Sequence, residues 1–320
     1  MFKTLRIASI ALSLAVAAGA VYAFAMRPHP VFAPTAVRAD RLHINALAQA
    51  GERLVAVGEA GHVLYSDDGG QRWRDAEVAQ QPGSTLTQLS FSDALHGLAV
   101  GHDGVVLRTE DGGAHWRRAA FDAEHTDPLL DVAAGADGAA IAVGSFGRFL
   151  VSRDGGEHWQ TAATPPAIAD GHANALVRGA GGRVLLVGEA GLLQRSADGG
   201  ATWEKLALPY QGSLFGGLAL ADGAWLVFGM RGHVFRSEDF GASWQPVDTG
   251  LPTSCFGGVQ LRDGRVVLVG QGGAIVRSDD GGRHFRIHRV GGRASLAAVL
   301  EAAPGRLLVA GEAGIAHEAL

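Results

Sequence analysis

A short segment of the form Ser/Thr-x-Asp-x-Gly-x-x-Trp/Phe recurs six times along the sequence. Its aromatic residue falls at positions 73, 116, 159, 203, 244 and 285. A second signature, Gly-x-x-Gly, lies just upstream of each copy and occurs a seventh time at Gly311 and Gly314, with no aromatic segment after it. Seven units, six of them complete, constrain the fold more than any other feature, because such a period indicates a repeat architecture.

Short β-like runs separated by glycine-rich turns fill each unit, with no helical period between them. In the fourth unit these runs are residues 174–178, 183–187, 192–196 and 203–208. Four strands in roughly 42 residues are typical of a propeller blade. We therefore predict an all-β fold, a single seven-bladed β-propeller of four-stranded antiparallel blades over residues 27–320.

The two ends of the repeat region predict how the ring closes. The seventh unit stops after its third strand, whereas an extended segment, residues 31–38, precedes the first unit. Pairing this N-terminal strand with the last unit would complete the seventh blade and leave no exposed sheet edge. The predicted units are residues 42–83, 84–126, 127–170, 171–212, 213–253, 254–294, and 295–320 together with 27–41.

Residues 1–26 stand apart from the repeats. Lys3 and Arg6 precede an apolar run over residues 7–26 that contains small residues near its end. A positively charged start followed by an apolar run is the order of a secretory signal peptide. The run is also long enough to span a bilayer, so an uncleaved membrane anchor is the alternative. In both cases we expect the rest of the chain to be exported, to the periplasm or an equivalent lumen.

The six recurring segments resemble the Asp-box, also called the bacterial neuraminidase repeat. We expect a structural role, with the carboxylate accepting backbone N–H groups in a tight turn and the aromatic ring packing between sheets. A catalytic constellation is needed only once, whereas this set recurs in every complete unit. The residues are Asp68 and Trp73, Asp111 and Trp116, Asp154 and Trp159, Asp198 and Trp203, Asp239 and Trp244, and Asp280 and Phe285.

Composition excludes several functions. The formal net charge of −5 provides no basic surface for nucleic acid. A single cysteine, Cys255, rules out an intrachain disulfide and any site with several thiolate ligands, and we expect it to be a small core residue. We predict no cofactor and no metal.

The second unit carries a closer resemblance. Its sequence from Leu98 to Trp116, LAVGHDGVVLRTEDGGAHW, is similar to the repeat of the photosystem II stability/assembly factor family, and similar units cover residues 42–320. The resemblance implies an exported propeller that is not an enzyme and that binds a membrane protein complex, of photosystem or transporter type, on its central face. Relatives in bacteria without photosynthesis weaken the implied photosystem partner. We expect a monomer.

Residues that break the repeat are the candidates for binding. They concentrate between the fourth and fifth units, on the predicted face of the Gly-x-x-Gly turns. Tyr, Phe, Met and Arg side chains are the types that carry interface energy. The predicted partner-binding patch consists of Tyr210, Phe215, Met230, Arg231 and Arg148, although Phe215 and Met230 could instead fill the interior of a blade and the arginines could simply be solvated.

Two alternatives remain open. A sialidase-like glycoside hydrolase would need a tyrosine nucleophile beside a carboxylate, and Tyr210 with Glu189 is the one conceivable pair. The Arg-Ile-Pro signature of sialidases is absent from the sequence. A ligand-sensing periplasmic module is the third hypothesis.

Overall fold

The computed structural model describes residues 38–80, 83–120, 126–161 and 171–320, together with residues 15, 16 and 168. Val37–Leu320 forms one compact unit. The predicted signal or anchor therefore lies outside the described residues, apart from positions 15 and 16. No helix in this described part is long and apolar enough to cross a membrane.

The predicted seven-bladed β-propeller is confirmed. Its blades are antiparallel sheets whose strands follow one another in chain order. In order along the chain the strands are β1 (Ile44–Ala50), β2 (Arg53–Gly58), β3 (Val63–Ser66), β4 (Arg74–Asp75), β5 (Glu77–Val78), β6 (Leu86–Phe91), β7 (Gly97–Gly101), β8 (Val106–Thr109), β9 (His115–Ala120), β10 (Leu129–Ala134), β11 (Ala140–Gly144), β12 (Phe149–Ser152), β13 (Gln160–Thr161), β14 (Ala173–Arg178), β15 (Val184–Gly188), β16 (Leu193–Ser196), β17 (Glu204–Lys205), β18 (Leu214–Ala219), β19 (Trp225–Gly229), β20 (Val234–Ser237), β21 (Gln245–Val247), β22 (Cys255–Gln260), β23 (Val266–Gly270), β24 (Ile275–Ser278), β25 (Arg286–Arg289), β26 (Leu296–Ala303), β27 (Arg306–Gly311) and β28 (Gly314–Ala319).

Blade 1 consists of β1 to β4, and blade 2 of β6 to β9. Blades 3, 4, 5 and 6 consist of β10 to β13, β14 to β17, β18 to β21 and β22 to β25. The short strand β5 leaves blade 1 and pairs in parallel with β9, the outermost strand of blade 2. The sequence pattern did not predict this connection. It covers part of an edge strand that would otherwise present unpaired backbone groups to solvent.

The core lies between the blades. Among the described residues, buried apolar side chains form seven clusters, and each joins two neighbouring blades. Blade 7 packs on blade 1 in this way, with Leu308 and Ala310 against Ile44 and Leu54. Such packing buries both faces of the second strand in each blade. This explains why the second strands have nearly continuous apolar sequences.

Blade 7 contains β26, β27 and β28. The strand predicted to complete it, residues 31–38, lies outside the described residues except for Arg38. Just after this segment the chain runs beside β28, because the carbonyl oxygen of Ala39 accepts a hydrogen bond from the N–H of Ile315 at 2.9 Å. The closing strand itself stays a prediction.

The recurring boxes form turns between the third and fourth strands. In the fifth blade, Asp239 accepts the hydroxyl of Ser237 at 2.8 Å and the backbone N–H of Ser243 at 2.9 Å. The hydroxyl and backbone N–H of Ser243 lower the pKa of Asp239 to about 2. Trp116, in the second blade, is buried and donates its indole N–H to the carbonyl oxygen of Gly113. In these two blades the box carboxylate and the box indole therefore bond to atoms of their own turn.

Candidate functional site

The strand register separates the propeller into two faces. The Gly-x-x-Gly turns join the second and third strands of each blade, at the end where the innermost strand begins; Gly188, for example, is opposite Ala173. The box turns and the hairpins between the first two strands lie at the other end, where Val184 is opposite both Arg178 and Ser196. We call these the glycine-turn face and the box face.

A β-bulge opens the start of every innermost strand. In each blade the second residue of the strand is skipped in the pairing register. Bulges re-aim side chains and are enriched next to functional sites. The seven bulged residues are Asn45, Thr87, Leu130, Asn174, Phe215, Phe256 and Ala297.

These bulged residues surround the central opening on the glycine-turn face. All seven line a cavity of about 670 Å³, whose rim also includes His43, Glu59 and His102. A deeper cavity of about 170 Å³ shares Phe215, Phe256 and three other lining residues with the first. The two cavities are therefore parts of one funnel, comparable in position to the mouths of β-barrels, where small-molecule sites occur.

The polar members of the ring already have partners. Asn45 donates its side-chain N–H to the Leu86 carbonyl oxygen at 2.7 Å, which ties blade 1 to blade 2. Thr87 and Asn174 make equivalent bonds to the Leu129 and Leu214 carbonyl oxygens, each at 2.8 Å. Because these bonds join neighbouring blades, the three polar residues of the ring stabilise the scaffold.

The aromatic side of the ring is formed by blades 5 and 6. The rings of Phe215 and Phe256 are half-buried and meet edge to face, with centroids 5.4 Å apart. No equivalent pair occurs among the other bulged residues, which are polar or aliphatic. Phe256 is not among the residues predicted from the sequence, although it holds the same position in its unit as Phe215 does.

Tyr210 lies on the same face as a half-buried side chain. Its hydroxyl donates to the Met230 carbonyl oxygen at 3.1 Å, and its ring stacks on His233 with centroids 4.4 Å apart. Burial raises the pKa of Tyr210. The tyrosine thus packs against the turn that carries Met230 and Arg231.

Arg231 is the exposed member of this turn. It adopts a left-handed conformation, with φ of 57°, and its backbone N–H donates to the hydroxyl of Ser254 at 3.3 Å. Met230, beside it, is half-buried. Four of the five predicted patch residues come from blade 5 or from the connection that leads into it. They are Tyr210, Phe215, Met230 and Arg231.

Arg148 differs from the other predicted patch residues. It is only 8% exposed, so its side chain belongs to the protein interior and not to an accessible patch. The exposed residue of its turn is Phe146, which is 64% exposed and packs edge-on against His172. The sequence pattern marked this turn as variable but could not show which of its side chains faces solvent.

The contacts also bear on the hydrolase alternative. That chemistry needs a carboxylate beside the tyrosine hydroxyl, but the Tyr210 hydroxyl is bonded to a backbone carbonyl oxygen. The Glu189 carboxylate lies 3.6 Å from Nδ1 of His172. Both groups therefore interact with other partners within the described part of the chain.

The described residues offer neither a reactive thiol nor a cluster of metal ligands. Cys255 is fully buried, and burial raises the pKa of its thiol to about 12, which keeps it protonated and unreactive at neutral pH. Over the residues that the structure describes, no cluster of three or more histidine, cysteine or acidic side chains could hold a metal ion.

Part of this chain is similar to a known protein family. The model of the family described as photosynthesis system II assembly factor YCF48 matches residues 34–110 and, in a second overlapping match, residues 82–161. This confirms the predicted resemblance to the assembly-factor family. Among curated proteins, none matches the sequence.

Solved structures of the assembly-factor family share the fold. A structure of YCF48 bound to a D1 peptide superposes with a TM-score of 0.70 at 20% identity, over 92% of this chain and 98% of that one. YCF48 from Cyanidioschyzon merolae gives 0.69 at 20% identity, over 90% and 97% of the two chains. A streptogramin B lyase, at 12% identity, reaches 0.72 over 88% and 95%. The propeller architecture is therefore shared with enzymes as well.

Proposed function

We propose that this protein is an exported, non-catalytic propeller that binds a segment of a membrane protein on its glycine-turn face. It would act as an assembly or stability factor, or as an accessory subunit, of an inner-membrane complex. The proposal rests on the uneven lining of the central opening. Phe215 and Phe256 form an aromatic wall on one side, whereas the polar bulged residues bond to neighbouring blades.

The comparisons support a protein partner. The matching family model describes an assembly factor, and the YCF48 structure with a bound D1 peptide is a propeller of the same architecture. In this chain, Phe215 and Phe256 would hold apolar side chains of the partner, while Tyr210 and Arg231 at the rim would contribute hydrogen bonds and charge. Tyrosine and arginine are enriched among the few residues that carry most of the binding energy of a protein interface.

Export to the periplasm is part of the proposal. The apolar run over residues 7–26 follows two positive charges, as in a signal peptide or an N-terminal anchor. A propeller released beside the membrane, or tethered to it, would meet the exposed segments of membrane proteins.

Removal of the two rim side chains should reduce binding. We expect the double variant Tyr210→Ala/Arg231→Ala to recover at least about tenfold less membrane partner from detergent-solubilised membranes than the wild type, because loss of such anchors commonly costs about 2 kcal/mol or more. Recovery is measured by pull-down and mass spectrometry with equal amounts of folded protein.

Two further variants make the test decisive. Arg231→Glu changes an exposed side chain and keeps Tyr210 packed, so its loss of binding cannot come from misfolding. Arg74→Ala removes an exposed arginine from the outer strand β4 and should bind as the wild type does. If Tyr210→Ala/Arg231→Ala and Arg231→Glu both recover as much partner as the wild type, the proposed binding patch is wrong.

A further inference from the structure

The inner rim of the glycine-turn face is built from one position of each turn. In all seven blades the first residue between the two glycines donates its backbone N–H to the carbonyl oxygen of the residue just before the innermost strand, at 2.9 to 3.1 Å. This bond places the seven residues beside the central opening. Three of them are the glutamates Glu59, Glu189 and Glu312, and none is lysine or arginine.

The three glutamates are exposed and have no strong cationic partner. Oε1 of Glu59 accepts the backbone N–H of His43, and Oε2 of Glu312 accepts that of Ser295, both at 2.9 Å. Glu189 lies 3.6 Å from a histidine nitrogen. Over the part of the chain that the structure describes, no lysine or arginine pairs with these carboxylates, and Glu59 and Glu312 each keep one oxygen available.

Carboxylates on the box face are neutralised within the protein instead. Asp67 pairs with Arg53 at 2.7 Å, and Asp222 pairs with Arg236 at 2.9 Å. The negative charge that can attract a partner is therefore concentrated on the glycine-turn face, at the rim of its opening.

The funnel inside this rim has the same charge pattern. Its lining contains Glu59, Asp131 and two histidines, but no lysine or arginine. Arg231, although exposed on this face, is not among the lining residues. A concave opening that carries carboxylates concentrates the negative potential and attracts cations.

Aromatic rings accompany these charges. Phe215 and Phe256 line the funnel, and Phe146 in the third turn is exposed with a left-handed φ of 52°. The ring of Phe146 packs against His172, the same histidine that lies beside Glu189. Such a backbone conformation is costly for a bulky residue and is found at binding sites. The face of a phenylalanine ring attracts lysine and arginine side chains as well as apolar groups.

We propose that the partner segment bound at this funnel is a basic one. Its apolar side chains pack against Phe215 and Phe256, and its lysine or arginine side chains meet the glutamates of the inner rim. This inference rests on the proposed function, because it specifies the chemistry of the segment that the glycine-turn face binds. An acidic segment would meet the rim with like charges, and a neutral one would leave its carboxylates without cations.

The test variant, Glu59→Gln/Glu312→Gln, removes two rim charges and preserves the turns. An amide oxygen can accept the same backbone N–H, and Gln271 holds this position in the sixth turn. The probe is a fluorescent, end-capped peptide of alternating lysine and leucine, compared with peptides that have glutamine or glutamate in place of lysine. Binding is measured by fluorescence anisotropy at pH 8, above the ordinary titration range of histidine.

We expect the wild type to bind the lysine peptide most tightly and the glutamate peptide least tightly. The double variant should bind the lysine peptide at least about threefold more weakly and the glutamine peptide equally well. Glu52→Gln/Asp263→Asn removes the same net charge from hairpins of the box face and should bind as the wild type does. Equal affinity of the wild type and Glu59→Gln/Glu312→Gln for the lysine peptide, a preference for the glutamate peptide, or no binding of any peptide would overturn the proposal.

The pull-down from solubilised membranes separates this inference from the proposed function. We expect Glu59→Gln/Glu312→Gln and Tyr210→Ala/Arg231→Ala both to recover less partner than the wild type. If only the second variant loses partner, binding on this face stands and the basic character of the segment is wrong. If neither variant loses partner, the proposed function is contradicted as well.

Discussion

Gly270→Ala should destabilise the propeller by about 3 kcal/mol, at the upper end of the usual cost of overpacking, because the added atom would meet backbone. Gly270 is the first glycine of the sixth Gly-x-x-Gly turn. A Cβ atom there would lie 2.0 Å from the Ser254 carbonyl oxygen, far inside contact distance. The same oxygen accepts the N–H of Gln271 at 2.9 Å, so relief of the clash would break the bond that holds the turn to the start of β22. Urea unfolding of both proteins measures the difference.

Gly171→Ala is the matched control. A Cβ atom at Gly171 would meet nothing within 4 Å, so its substitution should change the free energy of unfolding by no more than about 0.5 kcal/mol. Equal effects of the two substitutions would contradict the claim that close backbone approach selects the glycine.

Asp131→Asn should change how stability depends on pH. Asp131 is 5% exposed and lies in the wall of the funnel, where its two carboxylate oxygens accept the N–H groups of Val132 at 2.7 Å and of Leu176 at 2.6 Å. The second bond joins blade 3 to blade 4. Burial raises the pKa of Asp131 from its ordinary value to about 7, despite these two hydrogen bonds.

The sign of the effect follows from this raised pKa. Below the pKa of the unfolded chain, near about 4, the carboxyl is protonated in both states and its contribution to stability is complete. That contribution is lost as the pH rises toward 7, because the folded protein still binds the proton that the unfolded chain has released. A shift of this size corresponds to a loss on the order of 4 kcal/mol.

The amide introduced by Asp131→Asn cannot titrate, so the variant should lack this dependence. The stability of the wild type relative to Asp131→Asn should therefore increase as the pH falls from about 8 to about 5, in urea unfolding at each pH. Glu52→Gln, which replaces an exposed carboxylate in the hairpin after β1, is the control and should follow the wild-type curve. Parallel curves for the wild type and Asp131→Asn would show that Asp131 does not cause the dependence.

The architecture could be predicted because it depends on repetition. One box turn or one Gly-x-x-Gly turn would be a weak signal, but equal spacing over seven units leaves few folds that can accommodate them. The sequence does not show why the first residue of each turn has to be glycine. Its φ is extended in the sixth turn, at −173°, and the need for glycine arises from the carbonyl oxygen of residue 254, sixteen positions earlier.

The sequence predicted the site less completely than the fold, because it does not show which side chains of a turn are exposed to solvent. Tyr210, Phe215 and Arg231 lie on the glycine-turn face, whereas Arg148 points into the interior. Phe256 was missed because the bulge that brings its ring beside Phe215 is a feature of strand register. Comparison of equivalent positions across the seven units could have found it, since aromatic residues occupy that position only in blades 5 and 6.

Site-specific photocrosslinking in intact cells tests the central claim most directly. A photoreactive phenylalanine analogue at position 215 reports on the aromatic wall, and the same analogue at Arg262, an exposed residue on the box face, is the control. The proposed function predicts adducts with a membrane protein from position 215 and none with that protein from position 262. Equal adducts from both positions, or adducts from position 262 alone, would contradict partner binding on the glycine-turn face.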